Sequence, residues 1–167
     1  MADLVRAEAG RIQRASDVGR RTEYLSFLLA DSTYAVPIGE VREILKLPPV
    51  TVVPRAAPDV LGVVSVRGLL VTVIDLRLRL NVPASPACRS GRVLLVTGAG
   101  GEVMGLYVDE VLQVHRLSES EIEPVGSALG GNCADHVAGI GRPEGALLVL
   151  LDLRPIVGEA PGGASNA

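Results

Sequence analysis

Short runs of Val, Leu and Ile alternate along this chain with glycine, proline and small polar residues, and the 19 glycines and 11 prolines fall between the runs throughout. That rhythm predicts strands and turns of a sandwich or barrel rather than alternating strand–helix units. The pattern also repeats. Laying Phe27–Ile44 on Val96–Val114 at an offset of 70 pairs Val36 with Leu106, Ile38 with Val108, Glu40-Val41 with Glu110-Val111, Ile44 with Val114 and, further on, Pro54 with Pro124. Past that proline the offset becomes 77, which pairs Gly62 with Gly139, Val63 with Ile140, Gly68 with Gly145, and Ile74-Asp-Leu-Arg77 with Leu151-Asp-Leu-Arg154.

Two copies of one pattern imply two similar modules. Each reads as a hairpin turning at Asp31-Ser32 or Gly100-Gly101, a short Glu-Val segment, and two strands around Gly68 or Gly145. A module of that size buries too small a fraction of its surface to be stable alone, so the two are expected to share an apolar core. The first module covers about 22–85 and the second about 90–157, with exchange of segments between them left open. Residues 1–21 read as a helical or disordered arm, 81–91 as a Pro-rich joint, and 158–167 as a disordered tail.

Composition narrows the function. The longest apolar runs, such as Ala146–Leu151, fall short of the ~18 residues a membrane-spanning helix needs. The first residues carry no secretory signal, which points to a cytoplasmic protein. A net charge of −3 with one Phe, three Tyr and no Trp supplies neither the basic groove nor the stacking aromatics of a nucleic-acid-binding small barrel, the rival reading. Cys88 and Cys133 stand apart without histidines at ligand spacing, so neither a metal site nor a redox pair is expected, and no cofactor either.

The candidate chemistry is equally quiet. Asp75 and Asp152 invite comparison with a catalytic carboxylate pair, but they hold equivalent places in the two copies and are expected to cap the segment after each strand. His115 and His136 have no nucleophile motif near them and read as surface residues. The glycine-rich Gly98–Gly105 stretch is not followed by a helix, so it reads as a hairpin turn rather than a phosphate cradle. Ser118–Glu121 matches a capping box that Pro124 limits to a single turn. Asp75–Leu80 alternates Leu with Arg77 and Arg79, as a strand with a basic face or a short helix, its arginines in solvent. Gly68 fits a turn needing positive φ, and Arg67 beside it is held on a stiff apolar frame, where a planar guanidinium is a good interface anchor. The second copy has Glu144-Gly145 there, so the surfaces have diverged in charge.

The segments Val41–Ile44, Val50–Gly68, Val73–Arg77, Val103–Val114 and Val137–Gly141 together resemble the CheW-type chemotaxis coupling proteins, over about Glu23 to Val157. The resemblance implies an all-β fold of two SH3-like five-stranded barrels packed on a shared core, and a non-enzymatic adaptor. Its partners would be the regulatory domain of a CheA-type histidine kinase and the cytoplasmic helical tip of a methyl-accepting chemoreceptor, with recruitment to receptor arrays. Val41, Glu43, Gly62, Arg67 and Gly68 correspond to positions that family uses in these contacts. A groove between the barrels would take the receptor helix, with Arg67 orienting it, and the barrel edges would face the kinase. Two positions depart from the family's usual pattern, Ser65 for Asn and Thr72 for Pro, which bears on the shape of the loop between them.

Overall fold

The first hairpin consists of β1 (Arg21–Leu29) and β2 (Ser32–Pro37), followed by a single 3-10 turn and β3 (Val41–Leu45). Next come β4 (Val60–Val66), β5 (Leu69–Asp75) and the short helix α1 (Leu76–Arg79). The second copy repeats this order as β6 (Arg92–Thr97), β7 (Val103–Val108), β8 (Glu110–Ser118), β9 (Ile122–Glu123), β10 (Val137–Gly141), β11 (Leu148–Leu151) and α2 (Leu153–Gly158). This computed structural model describes residues 20–83, 90–98, 100–125 and 135–158. The expectations for the N-terminal arm before residue 20, for the tail from 159, and for Cys88 and Cys133 fall outside those residues.

The strands form two sheets, one in the order β8-β1-β2-β11-β10-β9 and the other in the order β3-β6-β7-β5-β4. Each sheet takes its leading hairpin from the opposite half of the sequence: β1 and β2 lie with β8–β11, and β6 and β7 with β3–β5. The exchange is sealed by parallel pairings. Val149 and Leu150 sit against Tyr34 and Ala35, and Thr72–Asp75 run beside Met104–Tyr107.

Both sheets close into barrels through one strand that bends. β8 pairs with β1, makes a 3-10 turn in which the Ser118 N–H donates to the Glu121 carboxylate at 2.9 Å, and continues as β9 against β10. In the other barrel β3 pairs with β6, and the chain beyond it returns to β4, where Thr51 and Val63 exchange N–H···O bonds of 2.9 and 2.8 Å. A closed barrel leaves no long open edge to recruit another chain. The return is so tight at Gly62 that its φ is +148°, and an added Cβ would overlap the Thr51 carbonyl oxygen. Gly139 meets the same bent strand at the repeat-equivalent place, 2.6 Å from Ile122 Cγ2 for such a Cβ.

One apolar core spans both barrels. Phe27, Leu29 and Val36 from the first pack with Ile74, Leu94, Met104 and Leu106 from the second, and Leu76, Leu151, Leu153 and Ile156 complete it. Phe27 stands opposite Tyr34, their rings stacked with centroids 6.4 Å apart. Smaller clusters fill each barrel alone, Val64, Val71, Val73, Val93 and Leu95 in one and Ala35, Leu117, Leu148 and Leu150 in the other. The buried Ser26, at a bulge in β1, is satisfied by both backbone groups of Gln113, donating to its carbonyl at 2.9 Å and accepting from its N–H at 3.2 Å. The expected all-β architecture with a shared core is what forms.

Candidate functional site

Val66 pairs with Leu69, so Arg67 and Gly68 alone make the β4–β5 connection, with φ of +50° and +82°. Two central residues with positive φ define the tight turn whose twist matches that of the flanking strands. Glycine takes the second place freely, whereas arginine in a left-handed conformation is strained by about 1 kcal/mol or more. The longer β10–β11 connection, from Gly141 to Leu148, carries the same pair of conformations, with Glu144 at +55° and Gly145 at +83°. Arg67, its side chain 73% exposed, is held across the barrel mouth by an ion pair with Glu43 on β3. Beside it, Leu69 and Leu70 are 64% and 79% exposed. Arg42, Glu43, Val66, Leu69, Val71 and Leu95 line a shallow depression of about 220 Å³ under the guanidinium.

Three of the five sequence candidates therefore gather at one barrel end: Glu43, Arg67 and Gly68. Val41, at the other end of β3, is half-buried and packs against the shared core. Gly62 is buried inside the same barrel wall, where its lack of a side chain admits Thr51. Ser65 is exposed on β4 opposite Leu70, and Thr72 lies half-buried on β5 between Val63 and Met104, so both belong to regular ladders beside the turn. His115 and His136 are partly buried, and the β6–β7 connection is closed by the Gly98 N–H donating to Glu102 O at 2.7 Å.

The two Asp-Leu-Arg segments carry the capping role expected of their aspartates. Asp75 accepts the Arg77 N–H, and Asp152 the Arg154 N–H, each at 3.0 Å. The expectation that Arg77 and Arg79 lie in solvent is overturned, because their side chains are 14% and 13% exposed. Arg77 bridges Asp75 at 3.2 Å and Asp109 at 3.3 Å, and its hydrogen bond to Asp75 holds its already high pKa higher still. Arg79 pairs with Asp59 at 2.8 Å and donates to Ile156 O in α2 at 3.0 Å, tying one barrel to the other. Leu-Arg alternation looks like a half-solvated surface until acceptors arrive from distant segments, and only the fold brings Asp59 and Asp109 there.

A second depression, about 410 Å³, lies between the barrels. Gly39 and Glu40 form one wall, Thr97 and Gly98 another, and Leu153, Arg154 and Val157 of α2 complete it. Arg42 borders both this cleft and the depression below Arg67, so the two are neighbours on the surface. Sequence reasoning placed Arg67 in the groove between barrels, whereas it stands at the end of one barrel. No group of three or more metal-binding side chains exists among the described residues, nor a helix long and apolar enough to cross a membrane.

The model of the CheW-like domain family matches residues 23–160. The chemotaxis protein CheW of Helicobacter pylori is similar at 29% identity over 150 residues, covering 90% of each chain, and that of Rhizobium meliloti at 31% over 132 residues, covering 78% of this chain and 84% of the relative. Among solved structures, the scaffolding protein TtCheW from Thermoanaerobacter tengcongensis superposes with a TM-score of 0.75 at 25% identity, over 84% of this chain and 90% of that one.

Proposed function

The chain belongs to the CheW-like family of chemotaxis scaffold proteins, and from that premise we propose that it is a non-enzymatic adaptor joining a chemoreceptor's cytoplasmic helical tip to a CheA-type histidine kinase, in receptor arrays at the inner face of the membrane. The barrel end carrying Arg67 meets the kinase's regulatory domain, and the cleft between the barrels receives the receptor helix.

One observation carries the reading: a strained arginine fixed by Glu43 stands among exposed leucines at the end of a closed barrel. Its planar guanidinium sits on a stiff hairpin, so little side-chain freedom remains to be lost when a partner docks. Exposed leucines around a polar anchor match the make-up of an interface centre. The cleft suits a different shape, because its apolar floor of Leu153 and Val157 between polar walls fits one face of an amphipathic helix. Arg42 at the border of both lets one rigid body hold two partners side by side.

The test is capture of each partner on its own by purified chain. Arg67→Ala is expected to lose the kinase regulatory domain and keep the receptor fragment. Unchanged capture of the kinase domain by that variant overturns the assignment of the barrel end.

A further inference from the structure

β3 pairs Val41 with Val96 and Glu43 with Leu95, so Arg42 is one residue too many for the ladder and stands in a bulge. The other copy makes the same bulge: Leu25 faces Val114 and Phe27 faces Val111, which leaves Leu112 and Gln113 opposite Ser26 alone. The offset of 70 puts Arg42 on Leu112. A leucine, 42% exposed, therefore serves the bulge as an arginine does, and the charge of Arg42 is not what the strand needs. A bulge turns a side chain out of the regular alternation. This one sets Arg42 where the depression below Arg67 meets the cleft between the barrels. Arg42 is exposed, and among the described residues no acceptor takes its guanidinium. The other arginines around the two depressions are occupied, Arg67 by Glu43 and Arg154 by Asp152. Glu40, on the same wall of the cleft, has Asp152 and Arg154 as its charged neighbours. One uncommitted cation thus stands beside the apolar floor of Leu153 and Val157.

We infer that Arg42 is the specificity contact of the cleft: its guanidinium takes a carboxylate from the helix that lies there, so an accepted helix carries Asp or Glu at the edge of its apolar stripe. The inference rests on the reading that the cleft receives the receptor helix, and adds which helices it admits. A planar guanidinium matches a carboxylate with two parallel hydrogen bonds. Once the helix covers the cleft the pair is shielded from water, and it is then worth more than an ion pair left in solvent. The acid lies about one helical turn from the side chains that reach Leu153 and Val157, the spacing that puts two residues on one face. A helix with Lys or Arg at that place meets an unpaired like charge and is rejected.

Titration of the full chain with a helical fragment of the chemoreceptor tip, followed by fluorescence anisotropy at low and high salt, tests it. Arg42→Ala is expected to weaken binding about tenfold and to flatten its salt dependence, and Arg42→Glu to weaken it further. Arg42→Leu copies the residue of the other module, so a similar loss at an unchanged melting temperature is expected from it and separates recognition from folding. Replacing each Asp and Glu of the fragment by Lys in turn is expected to yield one reversal that restores binding to Arg42→Glu. Unchanged affinity of Arg42→Ala, or no restoring reversal, overturns the inference. Affinity for the kinase regulatory domain is expected to stay within about twofold in all three variants, and a loss confined to that domain moves Arg42 to the barrel end and refutes the assignment. If the unaltered chain fails to bind the fragment, the reading of the cleft falls and the inference with it, whereas binding that ignores Arg42 sinks the inference alone.

Discussion

Arg77 and Arg154 end the same Asp-Leu-Arg segment in the two copies, yet the first is locked between Asp75 and Asp109 and the second, 87% exposed, bonds Asp152 at the surface with Glu40 nearby. The duplicated scaffold kept the cap and changed what the arginine does.

Arg77→Ala is therefore expected to destabilise the chain by about 3–5 kcal/mol, since it leaves Asp75 and Asp109 uncompensated in the interior. For a protein of this size that lowers the melting temperature by roughly 10 °C or more. Arg154→Ala is expected to leave the melting curve almost where it was, and the pair of thermal scans checks the contrast.

Arg67→Ala at the exposed turn is expected to preserve the melting temperature while weakening kinase-domain binding about ten- to a hundredfold, the range of an interface anchor. Titration calorimetry beside a thermal scan reads both quantities. A comparable loss of stability would make Arg67 a structural residue instead.

Gly62→Ala acts through the fold. Its Cβ would meet the Thr51 carbonyl and lie 2.6 Å from Val50 Cγ1, in a backbone with φ of +148°, so a loss of about 2–4 kcal/mol is expected from strain and from opening the barrel seam. Gly68→Ala, with φ of +82° and nothing within 4 Å, should cost only about 1 kcal/mol. Urea titrations of the two variants give the order.

Leu106→Ala removes a fully buried side chain from the core that both barrels share. A loss of about 2–5 kcal/mol is expected, with the whole molecule still unfolding in one transition. Two separate transitions in calorimetry would contradict a common core.

The Asp152 carboxyl is held below the usual carboxylate range, first by its hydrogen bond with the Arg154 side chain, against an opposing contribution from burial. A depressed folded-state pKa gives stability that is present above the unfolded value, near pH 4, and lost as pH falls through the folded one. Asp152→Asn is expected to flatten that part of the acid limb slightly, because Arg154 is well exposed. Acid titrations followed by circular dichroism check it.

The repeat, the strand-and-turn rhythm, the shared core and the special turn at Arg67-Gly68 were all legible in the residues, because each is written locally in spacing, glycine placement or apolar runs. The setting of Arg77 and Arg79 was not, since their partners Asp109 and Asp59 come from other elements and leave no mark beside the arginines. Gly62 was singled out by resemblance, while its physical reason, the return of the chain at Thr51, exists only in three dimensions. The position of Arg67 relative to the cleft was hidden for a similar cause: aligning two copies says which strands match, and nothing about which copy's hairpin each barrel encloses.

That enclosure bears on the order of events during synthesis. β1 and β2 are made first, but the strands flanking them, β8 and β11, come from the second half of the chain, with Tyr34 waiting for Val149. Neither half of the polypeptide holds all the strands of a barrel: the β3–β7 barrel is complete only once Val108 has been made and the other only once Leu151 has, so a gene cut at the joint near residue 85 would yield two unfinished sheets rather than two working modules.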